Sequence, residues 1–283
     1  IYRSGDDTGV VTPVPIPNTE VKHARGENSC FSESSSLPVL FLFLEVKCMD
    51  IEPRFSRFQR LVGFDSFEKL HNAKVIVFGV GGVGGYVVES LARAGVGTIG
   101  VVDNDTVNLT NMNRQIIATD NTINEYKTDA VESRIHLISP ECKIIKYTMF
   151  YLPETKNRIS LEEFDYIVDA IDTVTAKLTL IEEAIRLNIP IISSMGTGNR
   201  LDPSKLIFTD ISKTSGDPLA KVMRRELKKR GINHLDVVTS TELPIKPISF
   251  EEGDERTPAS SPFVPPSAGL LIASIVCKNI MNA

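Results

Sequence analysis

Lys74-Val-Ile-Val-Phe-Gly-Val-Gly-Gly-Val-Gly-Gly85 decides the fold. An apolar, β-branched run of strand length ends at Gly79, and helical spacing follows over 86–94. A glycine turn between a strand and a helix is the context of a phosphate-binding loop. Glycine lets the backbone turn tightly and approach a phosphate, and the helix N-terminus offers free N–H groups to the anion. Gly79, Gly81, Gly82 and Gly84 are therefore candidate nucleotide-binding residues. A second strand over 99–103 ends at Asp103, 19 residues after Gly84, where a carboxylate can accept from ribose hydroxyls. The loop alone fits NAD, FAD or ATP. A turn kept only for packing is the bland alternative, and a nicotinamide dehydrogenase is the first functional reading.

Outward from this unit the alternation continues. The spacing predicts helix over 129–138, strand over 143–148, strand over 166–170, helix over 177–187 and strand over 191–194. Alternating strands and helices imply an α/β fold: a Rossmann-like, doubly wound, mostly parallel sheet covered on both faces. Strand-like stretches at 205–210 and 235–239 follow, with a basic helix at 219–230, a polar loop at 251–262 and a small-residue helix at 267–281. No linker separates these, so 49–283 reads as one domain with a core at 70–200 and a C-terminal elaboration at 201–283. Residues 1–48 are rich in Ser, Pro, Gly and Asn and lack period. They read as a disordered tail, or as sequence upstream of a natural start at Met49.

The 283 residues are 42% hydrophobic and 24% charged, which excludes collagen-like, coiled-coil and wholly disordered classes. A net charge of −5 argues against a non-specific nucleic-acid coat, but leaves room for a local basic patch. Cys30, Cys48, Cys142 and Cys277 stand alone, with no C-x-x-C pair for zinc or thioredoxin-type chemistry. Isolated thiols suggest a reducing, cytoplasmic compartment. The longest apolar run, 37–44, is too short for the roughly 20 residues of a membrane span, and nothing resembles a signal peptide. No membrane partner is expected.

The stretch after the second strand changes the first reading. Asp103-Asn-Asp-Thr-Val-Asn-Leu-Thr-Asn-Met-Asn-Arg-Gln115 is dense in polar groups. A dehydrogenase has no evident need of an arginine and a run of amides there. A nucleoside triphosphate needs preorganised donors where negative charge develops. Asp105, Asn111, Arg114, Gln115 and Lys127 are the candidates. Asp172 closes Asp169-Ala-Ile-Asp172 at a strand C-terminus, where such sheets bind ligands, and could hold Mg²⁺. Singly, each has a bland role: a surface ion pair for Arg114, a solvated lysine for Lys127, a turn or cap for Asp105, a helix cap for Asp172.

Together these motifs resemble the ubiquitin-activating-enzyme-like adenylating family, from about Arg54 to the C-terminus. The resemblance implies ATP at Gly81, Gly82 and Gly84, ribose at Asp103, and triphosphate among Asn111, Arg114 and Lys127. It implies a Mg²⁺-associated carboxylate at Asp172, no zinc, and leaves a monovalent cation open. Arg57 sits where some members send an arginine into the partner subunit's site, and Arg60 competes for that role. Within the family, the likeness is closest to the branch that dehydrates threonylcarbamoyladenosine in tRNA. It is carried by Ser193-Ser-Met-Gly-Thr-Gly-Asn-Arg-Leu-Asp-Pro203, by 210–231 and by Phe263-Val-Pro-Pro-Ser-Ala-Gly-Leu270. Asn124 departs from the family's usual glycine, yet Asn also tolerates a left-handed backbone.

This branch implies carboxyl adenylation followed by cyclisation, a tRNA substrate, a homodimer and an assisting cysteine desulfurase or sulfur acceptor. A thioester route would need a reactive thiolate. No cysteine lies between Lys143 and Val276, and Cys277 reads as a packed thiol. The four histidines form no constellation. Lys221, Arg224, Arg225, Lys228 and Lys229 belong to a stretch with six cations in ten residues. With Val222, Met223 and Leu227 inward, the cations fan out either as an ordinary solvated face or as a tRNA-backbone contact. Competing functions are adenylation of a ubiquitin-like or sulfur-carrier tail, a nicotinamide oxidoreductase, and a scaffold without turnover.

Overall fold

The structure is a computed structural model that describes residues 52–248 and 258–283. The 1–48 extension and most of the polar 251–262 loop lie outside the described residues. After a short turn at Pro53–Phe55 come α1 (Ser56–Val62) and α2 (Phe64–Asn72), then β1 (Lys74–Phe78), α3 (Gly84–Arg93), β2 (Thr98–Val102), α4 (Lys127–Ile138) and β3 (Lys143–Tyr147). They continue with β4 (Tyr166–Asp169), α5 (Val174–Arg186), β5 (Ile191–Ser194), β6 (Leu206–Asp210), α6 (Pro218–Lys229), β7 (Asp236–Ser240) and α7 (Val264–Asn282).

The strands form one sheet in the order β3-β2-β1-β4-β5-β7-β6. All pair in parallel except β6, which runs antiparallel to β7 at the edge. The expected doubly wound, mostly parallel α/β architecture is therefore present. Side chains of β1 alternate between two cores. Val75 and Val77 pack with α3, α4 and α7, whereas Ile76 and Phe78 pack with α5 and the 151–164 segment. Each such fully buried side chain contributes about 1.5–3 kcal/mol. A third cluster joins α5, α6 and β7 through Ile181, Met223, Leu227 and Val237.

The C-terminal elaboration extends the same sheet rather than forming a separate layer, because β7 pairs with β5. Among the described residues α7 alone has the length and mean hydropathy of a membrane span. Here Ala268, Ile272, Ala273 and Val276 are buried in the first core. The helices α1 and α2 were not predicted from the spacing. Gly63, at φ 85° and ψ 165°, divides the stretch, and α1 spans only seven residues, about two turns.

Candidate active site

A cavity of about 700 Å³ opens at the C-terminal ends of β1, β2 and β4. Its floor is the turn from β1 to α3. Gly79 adopts φ 81°, and a Cβ there would lie 2.6 Å from the Ala170 carbonyl oxygen. Gly81 and Gly82 line the cavity. Gly84 does not: it is buried at the start of α3, where a Cβ would lie 1.8 Å from the Gly79 oxygen. Its part is to let helix and loop touch.

Asp103 stands at the end of β2. One carboxylate oxygen accepts from the Val80 N–H at 2.8 Å and the other from the Asp105 N–H at 2.9 Å. Both oxygens keep a lone pair for ligand hydroxyls. Burial pushes this carboxyl above its ordinary value, against the pull of Lys127 and the two N–H groups. Lys127, the first residue of α4, is buried and donates to Asp105 at 2.7 Å, with Asp103 at 3.9 Å. The Lys127 backbone N–H donates to the Asp105 carbonyl at 2.9 Å. Asn124, three residues earlier, takes φ 71°, the left-handed backbone expected of the glycine it replaces.

Arg114 lies across the glycine turn, its Cγ 3.3 Å from where a Gly82 Cβ would be. One terminal nitrogen donates to the Thr110 carbonyl and to Asn113 Oδ1, both at 2.9 Å. Among the described residues its other nitrogens are unengaged. Gln115 is buried with its amide nitrogen against Gly81, and its Oε1 has no partner among the described residues. Such an orphaned carboxamide in a cavity wall suits a polar ligand. Asn111 uses its oxygen to cap the Asn108 turn at 3.0 Å, leaving its amide donors at the cavity. Asp172, in the stretch after β4, also lines the cavity, is exposed, and accepts from the Thr173 hydroxyl at 3.2 Å.

A lone carboxylate of this kind matches the way Mg²⁺ is held, by one or two carboxylates plus substrate phosphates. The described residues contain no cluster of three or more ligating side chains. Arg57 and Arg60 are exposed on α1 and do not line the cavity of their own chain. On α6, Lys221, Arg225, Lys228 and Lys229 are exposed. Arg224 turns inward and donates to the Thr214 carbonyl at 2.8 Å, a correction to the outward fan. Val222 is only half-buried, and Ala220 joins Met223 and Leu227 on the buried face. Glu226 takes Lys229 at 2.9 Å and Arg225 at 3.1 Å. These bonds, with Arg230, hold its carboxyl down at about 2.

Several elements of the site were not read from the sequence. Lys177, the neighbour in sequence of the cavity-lining Ala176, is wholly buried. It donates to Asp169 at 2.9 Å, Ser193 at 3.0 Å and the Ser194 carbonyl at 2.8 Å. A lysine inside the apolar run of α5 was the available signal. Met149, Phe150 and Ile171 supply an apolar wall, and Thr197, Gly198 and 258–260 close another side.

Residues 55–237 match the ThiF family model. The chain belongs to the ThiF family. Among its relatives, tRNA threonylcarbamoyladenosine dehydratase of Bacillus subtilis is 41% identical over 241 residues, 81% of this chain and 95% of the relative. The Escherichia coli protein of that name is 33% identical, covering 81% and 93%. The crystal structure of the E. coli dehydratase in complex with ATP superposes with a TM-score of 0.75 at 32% identity, covering 81% of this chain and 94% of that one. These ThiF-family relatives align along nearly their whole length.

Proposed function

We propose that the protein is an ATP-dependent tRNA threonylcarbamoyladenosine dehydratase. The observation that carries this is the cavity itself. A glycine turn, a ribose-type carboxylate at Asp103, the cations of Arg114 and Lys127, and Asp172 line one space. The substrate carboxylate attacks the α-phosphorus of ATP, and pyrophosphate leaves. Arg114 and Lys127 offset the charge that develops on the phosphates. Asp172 is the residue to hold Mg²⁺, which would add charge neutralisation at the phosphates. The carbamoyl oxygen of the same side chain then attacks the acyl carbon, AMP departs with a carboxylate oxygen, and a carbamoyl N–H proton is released to solvent. That step is intramolecular, so positioning supplies much of its acceleration.

No protein thiolate is required. Cys142 and Cys277 are buried, and burial pushes both thiols up to about 11. This favours cyclisation over a thioester relay.

The same reading takes the protein as a cytoplasmic homodimer. Arg57 or Arg60, exposed on α1, serves the partner's cavity, and a cysteine desulfurase or sulfur acceptor assists. The exposed α6 cations meet the tRNA backbone. With Mg-ATP and tRNA bearing threonylcarbamoyladenosine, the modified nucleoside should lose one water while AMP is released. Arg114→Ala should lower kcat about 10²- to 10³-fold. An unchanged nucleoside from folded, ATP-binding protein would overturn the reading and favour a protein-tail substrate.

A further inference from the structure

One wall of the cavity is held by charges that never reach it. Thr197 and Gly198 line the space, and among the described residues their backbone N–H groups are unengaged. The residues on either side are anchored. The Gly196 N–H donates to Asp217 at 2.9 Å, and its carbonyl accepts from Arg200. The Asn199 N–H donates to the Ala259 carbonyl at 2.7 Å, with Asn199 itself at φ 59°. Arg200 and Asp217 have wholly buried side chains, 3.7 Å apart. Arg200 also donates to the Glu242 carbonyl at 3.0 Å. Asp217 accepts from the Thr239 hydroxyl at 2.9 Å and from the Leu219 N–H at 2.9 Å, and so caps α6. A Cβ at Gly196 would sit 3.0 Å from Asp217, so this contact has no slack. Beyond Ala259, the Ser260 carbonyl accepts from Asn113 at 3.0 Å, and Asn113 accepts from Arg114.

We infer that Arg200 and Asp217 are positioning residues: the buried pair fixes the Thr197–Gly198 wall against the reacting groups and ties it to the basic helix α6. A charged pair is a costly way to brace a loop that apolar packing could hold. Its use here places two backbone donors where substrate must lie. The inference rests on the adenylation reading. Removing one partner leaves the other charge buried alone, whereas neutralising both removes that penalty. The test therefore compares Arg200→Met with the double variant Arg200→Met/Asp217→Asn, in which Asn still caps α6.

Thermal midpoint, ATP affinity, and kcat for AMP release on threonylcarbamoyladenosine-bearing tRNA are measured for each. The single variant should lose stability. The double variant should regain ATP affinity and part of the stability, since the Gly196 N–H alone loses its acceptor, yet keep a kcat about 10- to 100-fold below wild type. A double variant with wild-type kcat would overturn the inference. So would one that recovers neither stability nor kcat, which would make the pair framework only. Wild-type protein that binds ATP but releases no AMP would instead overturn the adenylation reading.

Discussion

Asp103 gives up hydration to keep two oxygens aimed at a ligand. Burial raises its carboxyl, so the folded protein holds that proton more tightly than the unfolded chain does. Stability from this residue is therefore present below the ordinary carboxylate value and is lost as pH rises through the raised one. Relative to Asp103→Asn, the wild-type protein should gain stability as pH falls toward the carboxylate range, read as the difference in melting temperature at each pH. The same variant should weaken ATP binding roughly 10-fold by titration calorimetry, the cost of hydrogen bonds to a charged acceptor. Lys177 presents the opposite case. Lys177→Met would leave Asp169 charged, buried and without its cation, and should cost about 3–5 kcal/mol in urea unfolding.

At the scale of elements, α6 separates the useful cations from the occupied ones. Arg225 and Lys229 share Glu226, and Arg224 braces the Thr214 turn, whereas Lys221 and Lys228 extend from the exposed face. Reversing Lys221 and Lys228 to Glu should weaken tRNA binding more than reversing Arg225 and Lys229. The log–log salt dependence should become shallower by about 0.7–0.9 per lost phosphate contact, with ATP affinity unchanged. Equal losses from both pairs would count against this partition. The same helix marks what was legible in the sequence. Its amphipathic period placed Met223 and Leu227 inward, and the seven strands among the described residues fall on stretches read as strand or strand-like. Whether a given cation is free was not legible, because the partners of Arg224, Lys177 and Arg200 come from other segments. The groups lining the cavity were readable where they follow a strand end, as at Asp103 and Asp172. The walls at 149–150, 197–198 and 258–260 depend on how distant loops meet.

For the whole molecule, the cavity draws on the β1 turn, the stretch after β2, the end of β4, and the segment leading into α7. A ligand held there stabilises all of them together. ATP at 100 times its Kd should add about 2.7 kcal/mol. Hydrogen exchange should slow at 79–82 and 258–265 alike, and protection confined to the glycine turn would contradict a shared cavity.

The position of β7 has a consequence for synthesis. This strand fills the place beside β5 although β6 precedes it in the chain, and α7 seals the first core last. Such non-local pairing folds slowly, since chain ends must meet before contacts reward them. A chain still tethered to the ribosome before residue 258 lacks the segment that closes the cavity. The complete nucleotide cavity is therefore assembled only once α7 has docked, and full ATP affinity reports that event.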